Sequence, residues 1–210
     1  MIRLARQGAH NINLVTPTPQ LPGVIEALIL AWEEGLALPV VYNCGGYENV
    51  EVLQLLDGLV DIYLPDLKYG SDKAGRLSGP ETYFLRATEA IHEMKRQVGP
   101  LQLDEEGVAK QGLIVRHLVL PGGLSATEQV LCHIAEKLGR ETAVSLMSQY
   151  FPIEPVGIHP DLGRPLGAVE YGRAIQAMHR FGLTNGWMQK FRSPHTVRRW
   201  EPRMENSDLR

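Results

Sequence analysis

Residues 112–120, GLIVRHLVL, form the stretch of sequence that is most informative about the fold. The stretch is rich in valine, isoleucine and leucine, and polar residues do not alternate with the apolar ones. Such a run is typical of a strand that is buried on both faces, as in a parallel sheet covered by helices. Four further runs have the same character and predict strands at 12–16, 38–42, 60–64 and 143–147.

Helical segments alternate with these strands. Apolar residues recur at steps of three and four over 23–35, 50–56, 80–98, 125–138 and 168–181. Ser125, with Glu128 three residues later, predicts a capping box at the start of the fourth helix, and the polar segment 99–111 is predicted to be a loop or a helical extension. Five strand–helix repeats predict an α/β fold with a parallel sheet, either an open doubly wound sheet or part of a TIM-like (β/α) barrel.

The composition is that of a globular chain with one core. The 210 residues are 44% hydrophobic and 21% charged, and the net charge of −3 gives no indication of nucleic acid or an anionic membrane as a partner. No apolar run approaches the roughly 20 residues that cross a bilayer. The first residues lack the features of a signal peptide, so a cytoplasmic location is expected.

The two cysteines, Cys44 and Cys132, are far apart and provide no closely spaced thiolates for zinc or iron.

Polar residues occur where the predicted strands end, which is where parallel α/β folds gather their functional groups. Asp66 and Lys68 are two positions apart, so on an extended segment both can face the same side. They are expected either to bind the ammonium and carboxylate of an amino-acid-like ligand, or a cation, or to pair with each other at the surface. Arg116 interrupts an apolar strand and requires an anionic partner, either a ligand carboxylate, which we favour, or a neighbouring acid. His117 faces the other side and is predicted to be structural.

Five motifs occur in order: GAHNINLVTPT, LPVVYNCGGYE, VDIYLPDLKYG, QGLIVRHLVLPGG and MSQYFP. Together they resemble radical S-adenosylmethionine (SAM) proteins related to pyruvate formate-lyase-activating enzyme, in the PflX-like branch. The resemblance runs from about residue 7 to about residue 188. It divides the chain into a partial radical SAM-type barrel, 1–188, and a basic tail, 189–210, that is predicted to be disordered.

The resemblance implies a partial (β/α)6 barrel that binds S-adenosylmethionine and a [4Fe-4S] cluster. Members of the family cleave S-adenosylmethionine reductively, and the activases use the resulting 5′-deoxyadenosyl radical to take a hydrogen atom from a glycine of a partner polypeptide. Residue by residue, it implies that Asn43, Asp66, Lys68 and Arg116 lie around S-adenosylmethionine, and that Gln149 and Tyr150 lie on the substrate side.

The sequence departs from the family in two places. The C-x-x-x-C-x-x-C motif that ligates the cluster is absent, so the chain is expected to begin after that motif and to be inactive in radical chemistry as it stands. No residue is assigned a catalytic or metal-binding role. The Gly-Gly-Glu that receives the methionine amino group is replaced by Thr-Pro-Thr-Pro-Gln at 16–20.

Two other functions are open at this point. One is a descendant of the family that has lost the cluster and binds a nucleoside or a protein without catalysis. The other is a lyase that forms a Schiff base with Lys68, but the adjacent Asp66 argues against this alternative. Five of six expected strands are predicted. The missing edge strand would leave 12–16 with an unpaired edge, which predicts either poor solubility or dimerisation through that edge.

Overall fold

The computed structural model describes residues 1–152 and 159–191, and one sheet runs through that part of the chain. Six parallel strands lie in the order β1-β2-β3-β5-β6-β7, and β4 pairs antiparallel with β5. The sheet is open, with β1 and β7 at its edges, as in a partial TIM-like parallel barrel. The strands are β1 (Ile12–Val15), β2 (Val40–Cys44), β3 (Ile62–Pro65), β4 (Gln102–Leu103), β5 (Ala109–Leu118), β6 (Ala143–Met147) and β7 (Gly186–Met188). The predicted α/β class with a parallel sheet is confirmed.

Helices connect the parallel strands, because a parallel connection must return along the sheet. They are α1 (Ile2–Arg6), α2 (Leu21–Glu33), α3 (Val50–Gln54), α4 (Asp72–Gly75), α5 (Tyr83–Val98), α6 (Thr127–His133), which continues as a π-helical turn at Ile134–Leu138, and α7 (Ala168–Arg180). No helix among the described residues is both long enough and apolar enough to cross a membrane.

The central strands β2, β3 and β6 are mostly apolar because both of their faces are largely buried. On one face, side chains such as Tyr63 and Val115 join the core formed with α3, α5, α6 and α7. On the other face, a smaller cluster joins four neighbouring strands. It consists of Val41, Ile62, Ile114 and Ala143. We call the first face the helix-covered face and the second the inner face.

The amino end of the inner face is closed by a hairpin formed by β4 and β5. Leu101 and Ala109 pack against the inner-face cluster. The prediction of a loop or helical extension over 99–111 is therefore wrong. A local turn explains the difference, because the Asp104 carboxylate accepts hydrogen bonds from the backbone N–H groups of Glu106 and Val108 and reverses the chain.

Two further elements differ from the predictions. The sixth parallel strand, β7, has only three residues, too few to show a pattern, and it pairs with β6. The capping box at Ser125 is also wrong, since α6 begins at Thr127 and its N-cap residue is Ala126, which has a φ of 50°. The Ser125 hydroxyl instead accepts the N–H of Leu120.

The end of the described chain contacts α7. The backbone carbonyl of Gln189 accepts a hydrogen bond from the Tyr171 hydroxyl at 2.8 Å, and the Phe191 ring stacks on the Tyr171 ring. The remainder of the predicted tail, 192–210, lies outside the described residues.

Gly46, in the turn after β2, provides a test of how tightly that turn fits against β3. Gly46 and Gly58 both have a φ of 80°, but a Cβ at Gly46 would collide with the carbonyl oxygen of Asp66, whereas nothing lies near Gly58. Gly58→Ala should lower the free energy of unfolding by about 1 kcal/mol, the cost of a left-handed alanine. Gly46→Ala adds a backbone collision and should cost about 3 kcal/mol. Urea unfolding measures both, and equal losses would show that the turn has room to move.

Candidate functional site

A hollow of about 300 Å³ opens at the carboxyl ends of β3, β5 and β6. We call it the mouth hollow. It combines charged and polar side chains with an apolar wall and is lined by Asp66, Lys68, Tyr69, Arg116, Leu118, Leu120, Met147 and Gln149. Three of the four residues predicted to surround S-adenosylmethionine, and one of the two predicted substrate-side residues, thus line one space.

The register between β3 and β5 brings the central pair together. Asp66, which follows β3, forms a parallel bridge with Arg116 of β5, and the N–H of Leu67 donates to the carbonyl of Arg116 at 2.9 Å. Because alternate residues of a strand share a face, Arg116 lies on the inner face with Ile114. Its Nε lies 2.7 Å from Oδ1 of Asp66. The counter-ion that the sequence required for Arg116 is therefore present within the protein.

The pair is close in distance but poorly aligned. Nε of Arg116 and Oδ1 of Asp66 are both shielded from solvent, and although they are 2.7 Å apart the N–H is not well aligned with the oxygen. Burial raises the pKa of Asp66, and the positive charges of Arg116 and Lys68 oppose that shift. The site therefore holds a half-buried carboxylate and a half-buried guanidinium that attract each other, and their poorly aligned contact leaves hydrogen-bonding capacity for another partner.

Lys68 lies at the rim of the hollow. Its Nζ is 3.8 Å from Oδ2 of Asp66, and its side chain is 45% exposed. The ammonium also lies above Gly45, where a Cβ would be 3.8 Å from Nζ. An exposed pair at this distance contributes little to stability, so the lysine charge is available to another partner.

Backbone contacts hold Asp66 and Lys68 in place. The Tyr83 hydroxyl accepts the N–H of Lys68 at 2.9 Å and lies 3.2 Å from the carbonyl oxygen of Asp66, to which it can donate. Tyr83 is buried in the core and stacks on Tyr47. Sequence reasoning missed Tyr83, because nothing in the pattern of α5 distinguishes a tyrosine that reaches the sheet from an ordinary core tyrosine.

His117 is structural, in agreement with the prediction. It lies on the helix-covered face and is wholly buried. Its Nδ1 is 2.6 Å from the carbonyl oxygen of Leu67, and its Nε2 is 3.0 Å from the hydroxyl of Thr127. Since a carbonyl can only accept, Nδ1 carries the proton and Nε2 accepts from Thr127. Burial lowers the pKa of His117 to about 4, so the ring is neutral.

The other predicted site residues have different surroundings. Asn43 lies on β2, where its backbone carbonyl accepts the N–H of Thr16, and it does not line the hollow. Gln149 lines the hollow, and its side-chain carbonyl accepts a hydrogen bond from the Gln189 amide at 3.1 Å. Tyr150 does not line the hollow. Its side chain packs against the core, and its hydroxyl donates to the carbonyl of Leu162 at 2.7 Å.

A second polar group, missed in the sequence, lies near β1 and β2. The Thr18 hydroxyl is 2.9 Å from both the Tyr42 hydroxyl and a Glu48 carboxylate oxygen. Burial raises the pKa of Glu48, and burial also raises the pKa of the nearby Cys44 thiol. These shifts favour the protonated thiol, so Cys44 is not an activated nucleophile. The residues lie too far apart in sequence for a motif to connect them.

The described residues offer no set of three or more histidine, cysteine or acidic side chains that could hold a metal ion. Cys44 is buried beside the helices and Cys132 lies on α6. The thiols present therefore do not fit a [4Fe-4S] cluster, which requires several thiolates in one place. The Asp66, Lys68 and Arg116 charges do fit a ligand that carries both an ammonium and a carboxylate.

The fold and the hollow define an open, mostly parallel α/β protein with a polar site at the carboxyl ends of its strands. No family model matches the sequence. An uncharacterized protein of Methanocaldococcus jannaschii is 32% identical over 187 residues, which cover 87% of this chain and 50% of that protein. The chain thus spans about half the length of this relative.

The neutral state of His117 predicts a specific dependence of stability on pH. The pKa of the folded state is about 4, against an ordinary value of 6.5. Below pH 6.5 the unfolded chain gains a proton that the folded chain does not, so stability is complete above 6.5 and falls until about pH 4. The loss attributable to this residue should reach about 3 kcal/mol.

Urea unfolding of the wild type and of His117→Asn across this range measures the effect. Asparagine can still donate to the Leu67 carbonyl but does not titrate, so the difference in unfolding free energy between the two proteins should shrink as the pH falls. His92 and His133 also have pKa values lowered by burial, and both remain in the variant, so their contributions cancel. Parallel pH curves for the two proteins would contradict the neutral His117.

Proposed function

We propose that the mouth hollow binds the amino-acid portion of S-adenosylmethionine, and that the chain is part of a radical SAM protein resembling the glycyl-radical-enzyme activases. The observation that carries this proposal is the convergence of Asp66, Lys68 and Arg116 in one hollow at the carboxyl ends of parallel strands. Motifs from distant parts of the sequence supply these three charges.

The charges suit a zwitterion. The Asp66 carboxylate would accept the ligand ammonium, while Lys68 and Arg116 would bind the ligand carboxylate. Within a partly buried hollow these interactions are stronger than in water. The apolar side chains of Leu118 and Met147 would contact the carbon chain of the ligand. When bound together with a cluster, S-adenosylmethionine supplies a 5′-deoxyadenosyl radical for hydrogen abstraction.

We assign no step of that reaction to the residues of this chain, because its two thiols do not fit a [4Fe-4S] cluster. We propose the reductive cleavage of S-adenosylmethionine and the reaction with a polypeptide substrate only for an assembly in which other residues supply the three thiolates that ligate the cluster. The matched relative is about twice as long as the matched region, so the activity of any longer protein is part of this proposal.

A second candidate is a binding protein without a cluster, which would recognise a nucleoside or a protein. The poor fit of Cys44 and Cys132 to a cluster favours it. The Schiff-base lyase is weaker, because a reactive lysine requires an apolar, desolvated pocket. Lys68 is instead 45% exposed and lies 3.8 Å from Asp66.

Binding of S-adenosylmethionine, measured by calorimetry, tests the first proposal. Arg116→Gln and Asp66→Asn should each weaken binding about tenfold or more, because each removes a charged hydrogen-bond partner from the hollow. Lys110→Gln is the matched control. Lys110 is a cation on the same strand, β5, but pairs with Asp104 in the hairpin, so its removal should leave affinity unchanged. Thermal melts verify that each variant is folded, and Arg116→Lys provides a variant that keeps the charge.

Competition binding experiments distinguish a site for the amino-acid portion of S-adenosylmethionine from a nucleoside-binding site. If the hollow binds the amino-acid portion, L-methionine should displace S-adenosylmethionine and adenosine should not. A nucleoside-binding protein would show the reverse order. If Arg116→Gln and Asp66→Asn both bind S-adenosylmethionine as tightly as the wild type does, the hollow is not the binding site.

We also propose that two copies pair through the edge of β1. β1 ends the sheet among the described residues, and its Val15 side chain is 69% exposed. Val15→Lys should shift the protein towards the 23.4-kDa monomer in light scattering at high concentration. Val169→Lys is the control, since Val169 is 70% exposed but lies on α7. A wild type that is monomeric throughout would refute the pairing.

A further inference from the structure

Two chain segments, which follow the neighbouring strands β3 and β5, form two walls of the mouth hollow, and further contacts join them. The first wall contains Asp66, Lys68 and Tyr69, and the second contains Leu118 and Leu120. Behind the hollow, the N–H of Gly70 donates to the carbonyl of Ser125 at 3.0 Å. A Cβ at Gly70 would collide with the carbonyl oxygen of Ala126, so the two segments are in direct backbone contact.

A continuous chain of hydrogen bonds also runs from one wall to the other. The N–H of Leu120 donates to the Ser125 hydroxyl at 3.1 Å, and that hydroxyl is 3.0 Å from the Thr127 hydroxyl. The Thr127 hydroxyl is 3.0 Å from Nε2 of His117, whose Nδ1 is 2.6 Å from the carbonyl of Leu67.

The direction of every bond in the chain follows from its two ends. The Leu67 carbonyl can only accept, so His117 donates from Nδ1 and accepts at Nε2. Thr127 must therefore donate to His117 and accept from Ser125, and the Ser125 oxygen remains free to accept from Leu120. Each hydroxyl both donates and accepts, so removing one interrupts the chain and leaves buried polar atoms without a partner.

We propose that His117 and Thr127 are positioning residues of the mouth hollow, which fix the Asp66–Lys68 segment against the Leu118–Leu120 wall and thereby preorganise the ligand-binding charges. The inference rests on the proposed function for its ligand, although the coupling between the walls is a property of the protein alone.

The geometry at Leu67 explains how a residue on the helix-covered face can affect the inner face. Leu67 is fully buried among the helices, and its neighbours Asp66 and Lys68 point the opposite way because side chains alternate along an extended segment. The hydrogen bond from His117 to the Leu67 carbonyl restrains the peptide between Leu67 and Lys68. A rotation of that peptide would move the lysine ammonium away from Asp66.

Burial of these polar groups indicates a role beyond filling space. His117 and Ser125 have no measurable exposure, and burying polar groups offers little net stability over apolar residues of the same shape. Thr142 provides a comparison for the half-buried Thr127. Thr142 is 3% exposed, and its hydroxyl donates to the carbonyl of Leu138 at 3.1 Å, but it is not part of the chain that joins the two walls.

Amide hydrogen exchange tests the coupling without any ligand. Thr127→Val should speed exchange of the Leu67 and Lys68 amides about fivefold or more, because the loss of one hydrogen bond from the chain that holds the Leu67 carbonyl makes local opening of this segment easier by about that factor. Thr127→Ser should restore the wild-type rates because it keeps the hydroxyl. Thr142→Val should lower stability by a similar factor and leave these two amides unchanged relative to the rest of the core. Equal exchange at these amides in Thr127→Val and Thr142→Val would overturn the positioning role.

Calorimetry with S-adenosylmethionine then tests the effect on the site. Thr127→Val should weaken binding about fivefold, Thr127→Ser should restore it, and Thr142→Val should have no effect. If the wild type does not bind S-adenosylmethionine, the proposed function fails while the exchange result still decides the coupling. If the wild type binds and Thr127→Val binds equally well, the positioning role is overturned and the proposed function stands.

Discussion

The parallel register between β3 and β5 is the constraint on which the candidate site depends. It places the Leu67 N–H on the Arg116 carbonyl and thereby brings the Asp66 carboxylate to within 2.7 Å of the Arg116 guanidinium. A shift of one residue would turn the side chains of the shifted strand to the other face, so that one member of the pair would lie in the apolar core and lose its counter-ion. The register is protected against such a shift because Tyr63 and Leu113, which pair across these strands, are both buried in that core.

Rigid neighbours support this charge pair from three directions. Gly46 allows the turn after β2 to approach the Asp66 backbone, the Tyr83 hydroxyl bridges the backbone of Asp66 and Lys68, and His117 restrains Leu67. None of these supports lies in the hollow itself. A ligand would therefore meet charges whose positions are already set, which lowers the entropic cost of binding.

The polar groups of this chain divide between two faces with different consequences. On the inner face, Arg116 and Asp66 keep unused hydrogen-bonding capacity and suit an external partner. On the helix-covered face, His117, Thr127 and Ser125 hydrogen-bond one another and the backbone of Leu67 and Leu120. The Thr18, Tyr42 and Glu48 group at the edge of the sheet resembles the second kind, because its members also hydrogen-bond one another. This contrast is why we place ligand binding in the mouth hollow.

The sequence by itself determined the α/β class, the parallel sheet and five of the strands, because burial on both faces requires the uninterrupted apolar runs seen at 112–120 and 143–147. It also identified Asp66, Lys68, Arg116 and Gln149, since charged or polar residues at the ends of apolar strands stand out from the pattern. Only the tertiary structure decided which of them meet, and it excluded Asn43 and Tyr150 from the hollow. It alone revealed the short strand β7, the β4–β5 hairpin and the hydrogen bonds of Tyr83 and Thr127. Those features arise from contacts between residues far apart in the chain, which no local pattern records.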